Sequence, residues 1–250
     1  MLMLIFGARR MAVSLTHSGG SCPRADCYNL LFTTMANQRN TRDEVRNRAK
    51  KIKLVLLDVD GVMTDGTIFL FPAPPGAEQA VRQHTEARAD HGGYAISSDS
   101  VMEAKGFHAH DGTAISLARN AGLKTGIITK RISETVRLRA RDLRIDHVHQ
   151  GAADKLSVLH EILSKEKIGP EQVAYVGDDI IDLPVMRAVG LAIAVANARE
   201  DVKDESHVIT DHRGGEGAVR DAIEYILKAQ GKYEDAVAEY INQRTPPSEQ

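Results

Sequence analysis

Four short and almost continuously apolar runs, residues 52–57, 124–128, 172–176 and 191–195, punctuate the chain, and each stops abruptly at polar or glycine residues. Runs of this length fit strands buried on both faces, the situation of a parallel sheet. Between them, residues 113–121, 134–143, 154–167 and 181–188 repeat their apolar positions at helical spacing. Alternating strand and helix predict an α/β fold, a Rossmann-like parallel sheet flanked by helices with right-handed crossovers. Residues 217–229 and 233–242 read as two further amphipathic helices, and 245–250 as a disordered end.

One region departs from the alternation. Residues 67–71 have strand character, 106–109 offer a pairing partner, and between them lie Pro72, Pro74, Pro75 and Gly76 followed by a polar stretch to Ser100. This predicts a β-hairpin excursion after the first strand, too short and too polar to be a full cap domain. Residues 1–50 lack sustained periodicity and become strongly charged from Gln38 to Lys51, which predicts a flexible N-terminal extension, with Met35 as a plausible start. The predicted organisation is thus an extension over 1–50, a catalytic domain over 51–232, and a C-terminal helix and tail over 233–250.

Composition narrows the function classes. In 250 residues, charged side chains make up 26% and the net charge is −2, so no global field favours nucleic acid or an anionic membrane. An anionic substrate must therefore be met by a local site. No apolar run is long enough to span a bilayer, and the opening MLMLIF is too short for an export signal. Cys22 and Cys27, spaced C-x4-C with no second pair, read as free thiols, consistent with a reducing cytoplasm.

The chemistry lies where the strands stop. The first run ends in Asp58-Val59-Asp60-Gly61 and continues to Thr64-Asp65-Gly66. Residues two apart on extended backbone share a side, so Asp58 and Asp60 can face one pocket. Their mutual repulsion calls for a hard cation such as Mg2+. A carboxylate there can attack phosphorus and form an acyl-phosphate, while its neighbour shuttles the proton. Alone, D-x-D-G is usually a turn; its position at the end of a buried strand, with the groups below, favours chemistry.

The second run ends in Thr129-Lys130-Arg131, where a hydroxyl and backbone N–H groups can hold a phosphate oxygen, although a plain helix cap would look the same. Lys155, at the head of the next helix, can neutralise phosphate and nucleophile, or simply sit in solvent. The third run ends in Gly177-Asp178-Asp179-Ile180-Ile181-Asp182. Three carboxylates in so short a segment are unfavourable unless they serve a cation, and the helix dipole accounts only for Asp182. A parallel sheet brings these strand ends side by side and composes one phosphoryl-transfer site.

The motifs DVDGVMTDG, IIT, DK and GDDIID resemble the haloacid dehalogenase-like superfamily. Within it the chain resembles the small capless phosphatases of 3-deoxy-D-manno-octulosonate 8-phosphate, over about residues 52–232. The resemblance implies Asp58 as nucleophile and metal ligand, and Asp60 as general acid/base whose backbone carbonyl also binds Mg2+. It implies Thr129 and Lys155 as phosphoryl ligands, Asp178 as the third metal ligand, and Asp179 and Asp182 as supports for the metal or for Lys155. It further implies a homotetramer in which the hairpin and a C-terminal segment of one subunit help close a neighbour's site. Arg220 is the candidate there, and Arg131 the candidate for the sugar carboxylate. The expected pathway is lipopolysaccharide inner-core synthesis.

The chain departs from that pattern at Lys130, where the family usually has glycine, at His110, usually a basic residue, and in the long connection from Phe71 to Gly106. The last two lie near the expected substrate mouth, so a phosphatase for another sugar phosphate, such as a nonulosonate 9-phosphate, is the alternative. A phospho-accepting or binding module without turnover is the alternative of another class; Asp60, placed to speed hydrolysis, argues against it.

Overall fold

The structure, a computed structural model, describes residues 42–72, 74–76, 94–95 and 101–243. Its centre is a six-stranded sheet of β1 (Leu54–Leu57), β5 (Lys124–Thr129), β7 (His147–Gln150), β8 (Val173–Gly177), β9 (Leu191–Ala194) and β10 (Val208–Ile209). The strand order is β10-β9-β8-β1-β5-β7, and every neighbouring pair is parallel. All four residues of β1 are buried, as expected for a strand covered on both faces. The four strands foreseen from apolar runs are present. β7 and β10 are additional: His147-Val148-His149-Gln150 carries too little apolar character to announce a strand, and Val208–Ile209 is too short.

From β1 the chain moves outward through β5 to β7, then returns to the other side of β1 to form β8. Such a reversal opens a crevice beyond the carboxyl ends of the central strands. The ends of β8, β1 and β5 therefore lie next to one another, with Leu57 opposite both Ile127 and Val176.

Helices Ala109–Asn120, Glu134–Leu143, Lys155–Glu166, Ala218–Gln230 and Tyr233–Asn242 cover the sheet. Helix Ala218–Gln230 buries Ala218, Val219, Ala222, Ile223, Ile226 and Leu227, a stripe at three- and four-residue spacing. It is stopped by Gly231 at φ 67°. Helix Tyr233–Asn242 continues the same core through Ala236, with Tyr233, Val237 and Tyr240 packed against it. No described helix is long and apolar enough to cross a membrane.

Two expectations need correction. The lead-in taken as flexible is helical over residues 42–50, where Val45 and Ala49, four apart and so on one face, are both buried. Its high charge belongs to the solvent side of an amphipathic helix. The hairpin partner of β2 (Phe69–Pro72) is β4 (Val101–Ala104), with Phe69 opposite Ala104 in antiparallel register, whereas 106–109 lead into the next helix. Gly106 follows the strand and does not open it. Tyr94 and Ala95 form β3, which pairs in parallel with β6 (Arg131–Ile132). The expectations for residues 1–41, for most of the excursion between β2 and β4, and for 245–250 fall outside the described residues.

Candidate active site

Asp58 follows β1, and the chain then turns over Gly61 at φ 87°, a backbone region that favours glycine. Asp58 is only 3% exposed; Val59 N–H donates to its Oδ1 at 2.7 Å, and Lys155 Nζ lies 2.9 Å from its Oδ2. Lys155 reaches this position because Asp154 caps its helix, accepting the N–H groups of Leu156 and Ser157 at 3.1 Å each. The lysine is thereby fixed in the first turn, aimed at the sheet end, and is itself buried.

Asp182 completes the buried ion group. The short 3-10 turn Ile180–Asp182 returns its carboxylate toward β8. Its Oδ1 accepts from Lys155 Nζ and Tyr175 OH, both at 2.7 Å, and its Oδ2 accepts the N–H groups of Asp178 at 3.0 Å and Asp179 at 3.3 Å. With both oxygens engaged, Asp182 serves to hold Lys155 and the Asp178 backbone. Asp179 is exposed and caps the turn by accepting the Ile180 N–H at 2.8 Å.

Asp178 is different. Its Oδ1 is buried with no hydrogen-bond partner. Burial first, then the negative charges of Asp58, Asp182 and Asp179, push its carboxyl up to about 8. Burial also pushes Asp58 up, to about 6, against the pull of Lys155. Lys155 stays above the usual lysine value because Asp58 and Asp182 outweigh its burial. Oxygens of Asp58, Asp178 and Asp182 lie within 4.8 Å of one another. Three carboxylates against one ammonium leave an excess of buried negative charge that a divalent cation satisfies. The free Asp178 oxygen and Asp58 are the fitting protein ligands. Gly61 makes room for them, since a Cβ there would stand 2.1 Å from Asp178 Oδ2.

Asp60 does not share the partners of Asp58. Its Oδ1 is held by Lys105, and Arg131 Nε lies 3.5 Å from its Oδ2. Thr129 is buried at the end of β5. Arg131 also gives Nη2 to Glu103 Oε2 at 2.8 Å. Arg220 stands apart in this chain: its Nε pairs with Glu224 at 2.6 Å and its N–H bonds Asp111 at 2.9 Å.

A second segment backs the turn after β1. Asn197, just beyond β9, donates Nδ2 to Gly61 O at 3.2 Å and accepts the Gly214 N–H at 2.6 Å. Gly215 N–H bonds Val62 O at 3.1 Å. The approach is so close that a Cβ on Gly214 would lie 1.8 Å from Gly61 O.

Sequence reasoning missed Glu103, Lys105, Tyr175 and Asn197. A signal existed for three of them. Glu103 and Lys105 are two apart at a strand end, the same spacing that singled out Asp58 and Asp60. A tyrosine inside the apolar run 172–176 also needed a partner for its hydroxyl. Asn197 carried no signal beyond its place after a strand.

A profile of the haloacid dehalogenase-like hydrolases matches residues 114–223. The 3-deoxy-D-manno-octulosonate 8-phosphate phosphatase of Yersinia pestis is 38% identical over 194 residues, covering 78% of this chain and 89% of that protein. A crystal structure of the phosphatase of that name from Yersinia pestis superposes with a TM-score of 0.64, covering 77% of this chain and 89% of the other. The phosphatase of the same name from Moraxella catarrhalis, solved with magnesium ion, phosphate ion and a KDO molecule, is 34% identical with a TM-score of 0.66, covering 79% of this chain and 98% of the other. The sheet order, the acidic strand ends and these likenesses together show that the chain belongs to the haloacid dehalogenase-like hydrolases, in the family of the 3-deoxy-D-manno-octulosonate 8-phosphate phosphatases.

Proposed function

We propose that the chain is a Mg2+-dependent phosphatase of 3-deoxy-D-manno-octulosonate 8-phosphate, working through an aspartyl-phosphate on Asp58. The observation that carries this reading is the buried cluster in which Asp58, Lys155 and Asp182 are ion-paired while one oxygen of Asp178 is left without a partner.

Asp58 attacks phosphorus, its Oδ–P bond forms, and the P–O bond to the sugar breaks. Asp60 gives its proton to the departing alkoxide. Water then attacks phosphorus, Asp60 takes back a proton, the Oδ–P bond breaks and orthophosphate leaves. Lys155 and Thr129 hold the transferring oxygens, and Asp182, gripping Lys155, keeps the ammonium in place. Asp58, Asp178 and the Asp60 backbone carbonyl would hold Mg2+, which supplies charge neutralisation to the phosphoryl group when bound. Arg131 is the residue for the sugar carboxylate.

The assembly belongs to the same reading. β2 and β4 expose Phe69 at 45%, Leu70 at 53%, Phe71 at 49% and Met102 at 39%, an apolar surface too large for a free ribbon in water. A homotetramer built on these hairpins would cover it and bring Arg220 of one copy toward another's mouth. A cytoplasmic location suits this role.

Measuring kcat/KM with Mg2+ on a panel of sugar phosphates tests the substrate. The 8-phosphate of 3-deoxy-D-manno-octulosonate is expected to exceed a nonulosonate 9-phosphate and neutral hexose phosphates by more than about tenfold, roughly 1.4 kcal/mol of transition-state discrimination. Equal rates across the panel would remove the substrate assignment and leave a general phosphatase.

A further inference from the structure

The Lys105 side chain is completely buried, yet no part of the reaction described so far uses it. Burying a lysine is unfavourable unless it is paired. Here it has two partners, Asp60 Oδ1 and, at 3.2 Å, Glu103 Oε1. Glu103 in turn holds Arg131 through its other oxygen at 2.8 Å. Two cations and two carboxylates thus form one connected set. Its members come from three places: the turn after β1, the end of β4, and β6. Burial raises the Glu103 carboxyl, but Arg131 and Lys105 outweigh that and keep it below the ordinary glutamate range, so the anchor is anionic at neutral pH.

We propose that Lys105, anchored by Glu103, is a positioning residue for the reaction: it grips one oxygen of Asp60 so that the other points at the leaving group. The argument is geometric. A carboxyl at the edge of a turn can rotate about its Cα–Cβ and Cβ–Cγ bonds, and proton transfer needs its oxygen within hydrogen-bond reach of the ester oxygen. A buried ammonium on Oδ1 removes that freedom and leaves Oδ2, the side toward Arg131, to carry and return the proton. The grip works whichever protonation state Asp60 holds, because the oxygen facing Lys105 remains an acceptor in both. It also ties the hairpin to the chemistry, since the strand that exposes Met102 carries Glu103 beside it.

This inference rests on the proton-transfer role given to Asp60, and the test separates the two. An alkyl phosphate needs its leaving oxygen protonated; p-nitrophenyl phosphate, with a stable phenolate, does not. For Lys105→Met, kcat/KM on the sugar phosphate is expected to fall on the order of 100-fold, the scale of general acid catalysis, and on p-nitrophenyl phosphate less than about threefold. The charge-balanced pair Glu103→Gln/Lys105→Met, which leaves no excess buried anion, is expected to show the same split and serves if the single variant does not fold. Asp60→Asn is measured alongside. A split for Asp60→Asn without one for the Lys105 variants, or an equal loss on both substrates, overturns the role of Lys105. No split for Asp60→Asn overturns the role of Asp60 itself.

Discussion

At the scale of single residues, Gly61 and Asp178 are the most exacting pair. An alanine at position 61 would place its Cβ 2.1 Å from Asp178 Oδ2 in a backbone conformation at φ 87° that L residues avoid. The carboxylate must swing away, and it is a proposed cation ligand. Gly61→Ala is therefore expected to raise the Mg2+ concentration for half-maximal rate by about tenfold or more, read from a Mg2+ titration of initial rates. An unchanged half-saturation would contradict the ligand role. The same carboxylate links stability to pH. Its folded, metal-free pKa of about 8 lies above the ordinary 3.8, so its contribution to stability is complete below 3.8 and declines as pH rises through about 8. A bound cation requires the anion and removes that penalty. The rise in Tm caused by Mg2+ is expected to be larger at about pH 9 than at about pH 6, as calorimetry would show. The convergence of Asp58, Lys155, Asp178 and Asp182 was readable because strand ends in a parallel sheet lie side by side. Lys105 and Glu103 offered only their two-residue spacing as a signal, because their importance depends on a hairpin register that the sequence left unresolved.

At the scale of elements, helix 42–50 shows how charge conceals structure. Its exposed face carries Arg42, Asp43, Glu44, Arg46 and Lys50, and only Val45 and Ala49 reach the core, so the segment reads as solvated chain. Arg48 further ties it to the chain entering β9 by donating Nη1 to Gly190 O at 3.1 Å. Val45→Ala removes two buried methyl groups and is expected to lower unfolding stability by about 1–2 kcal/mol, measured by chemical denaturation, with kcat/KM little changed. A variant as stable as the parent would mean that the helix does not dock. The strands tell the complementary story. β1, β5, β8 and β9 announced themselves because both faces are buried. β7, at the sheet edge with Val148 exposed, and the two-residue β10 lack the pattern that sequence reading relies on.

At the scale of the whole molecule, the apolar hairpin is the feature one subunit does not account for. Phe69 and Phe71, two apart with ring centroids 6.4 Å from each other, share one side of the ribbon, while Leu70 at 53% exposure occupies the other. Both sides are thus apolar, as suits a ribbon enclosed by copies of itself. The proposed homotetramer predicts that Leu70→Lys combined with Phe71→Glu yields a monomer, seen by light scattering coupled to gel filtration, and depresses turnover of the sugar phosphate by about tenfold or more. A tetramer that persists would place the interface elsewhere.

The contact of Gly214 and Gly215 with the turn at Gly61–Val62 has a consequence for biosynthesis. Residues 58, 60, 129, 155 and 178 all leave the ribosome before 214, so a nascent chain can hold every group named in the reaction and still lack the loop that braces the nucleophile's turn. Competence should arrive abruptly, once residues 214 and 215 can fold against that turn, and polypeptides released before that point should be inert despite a complete set of reactive side chains.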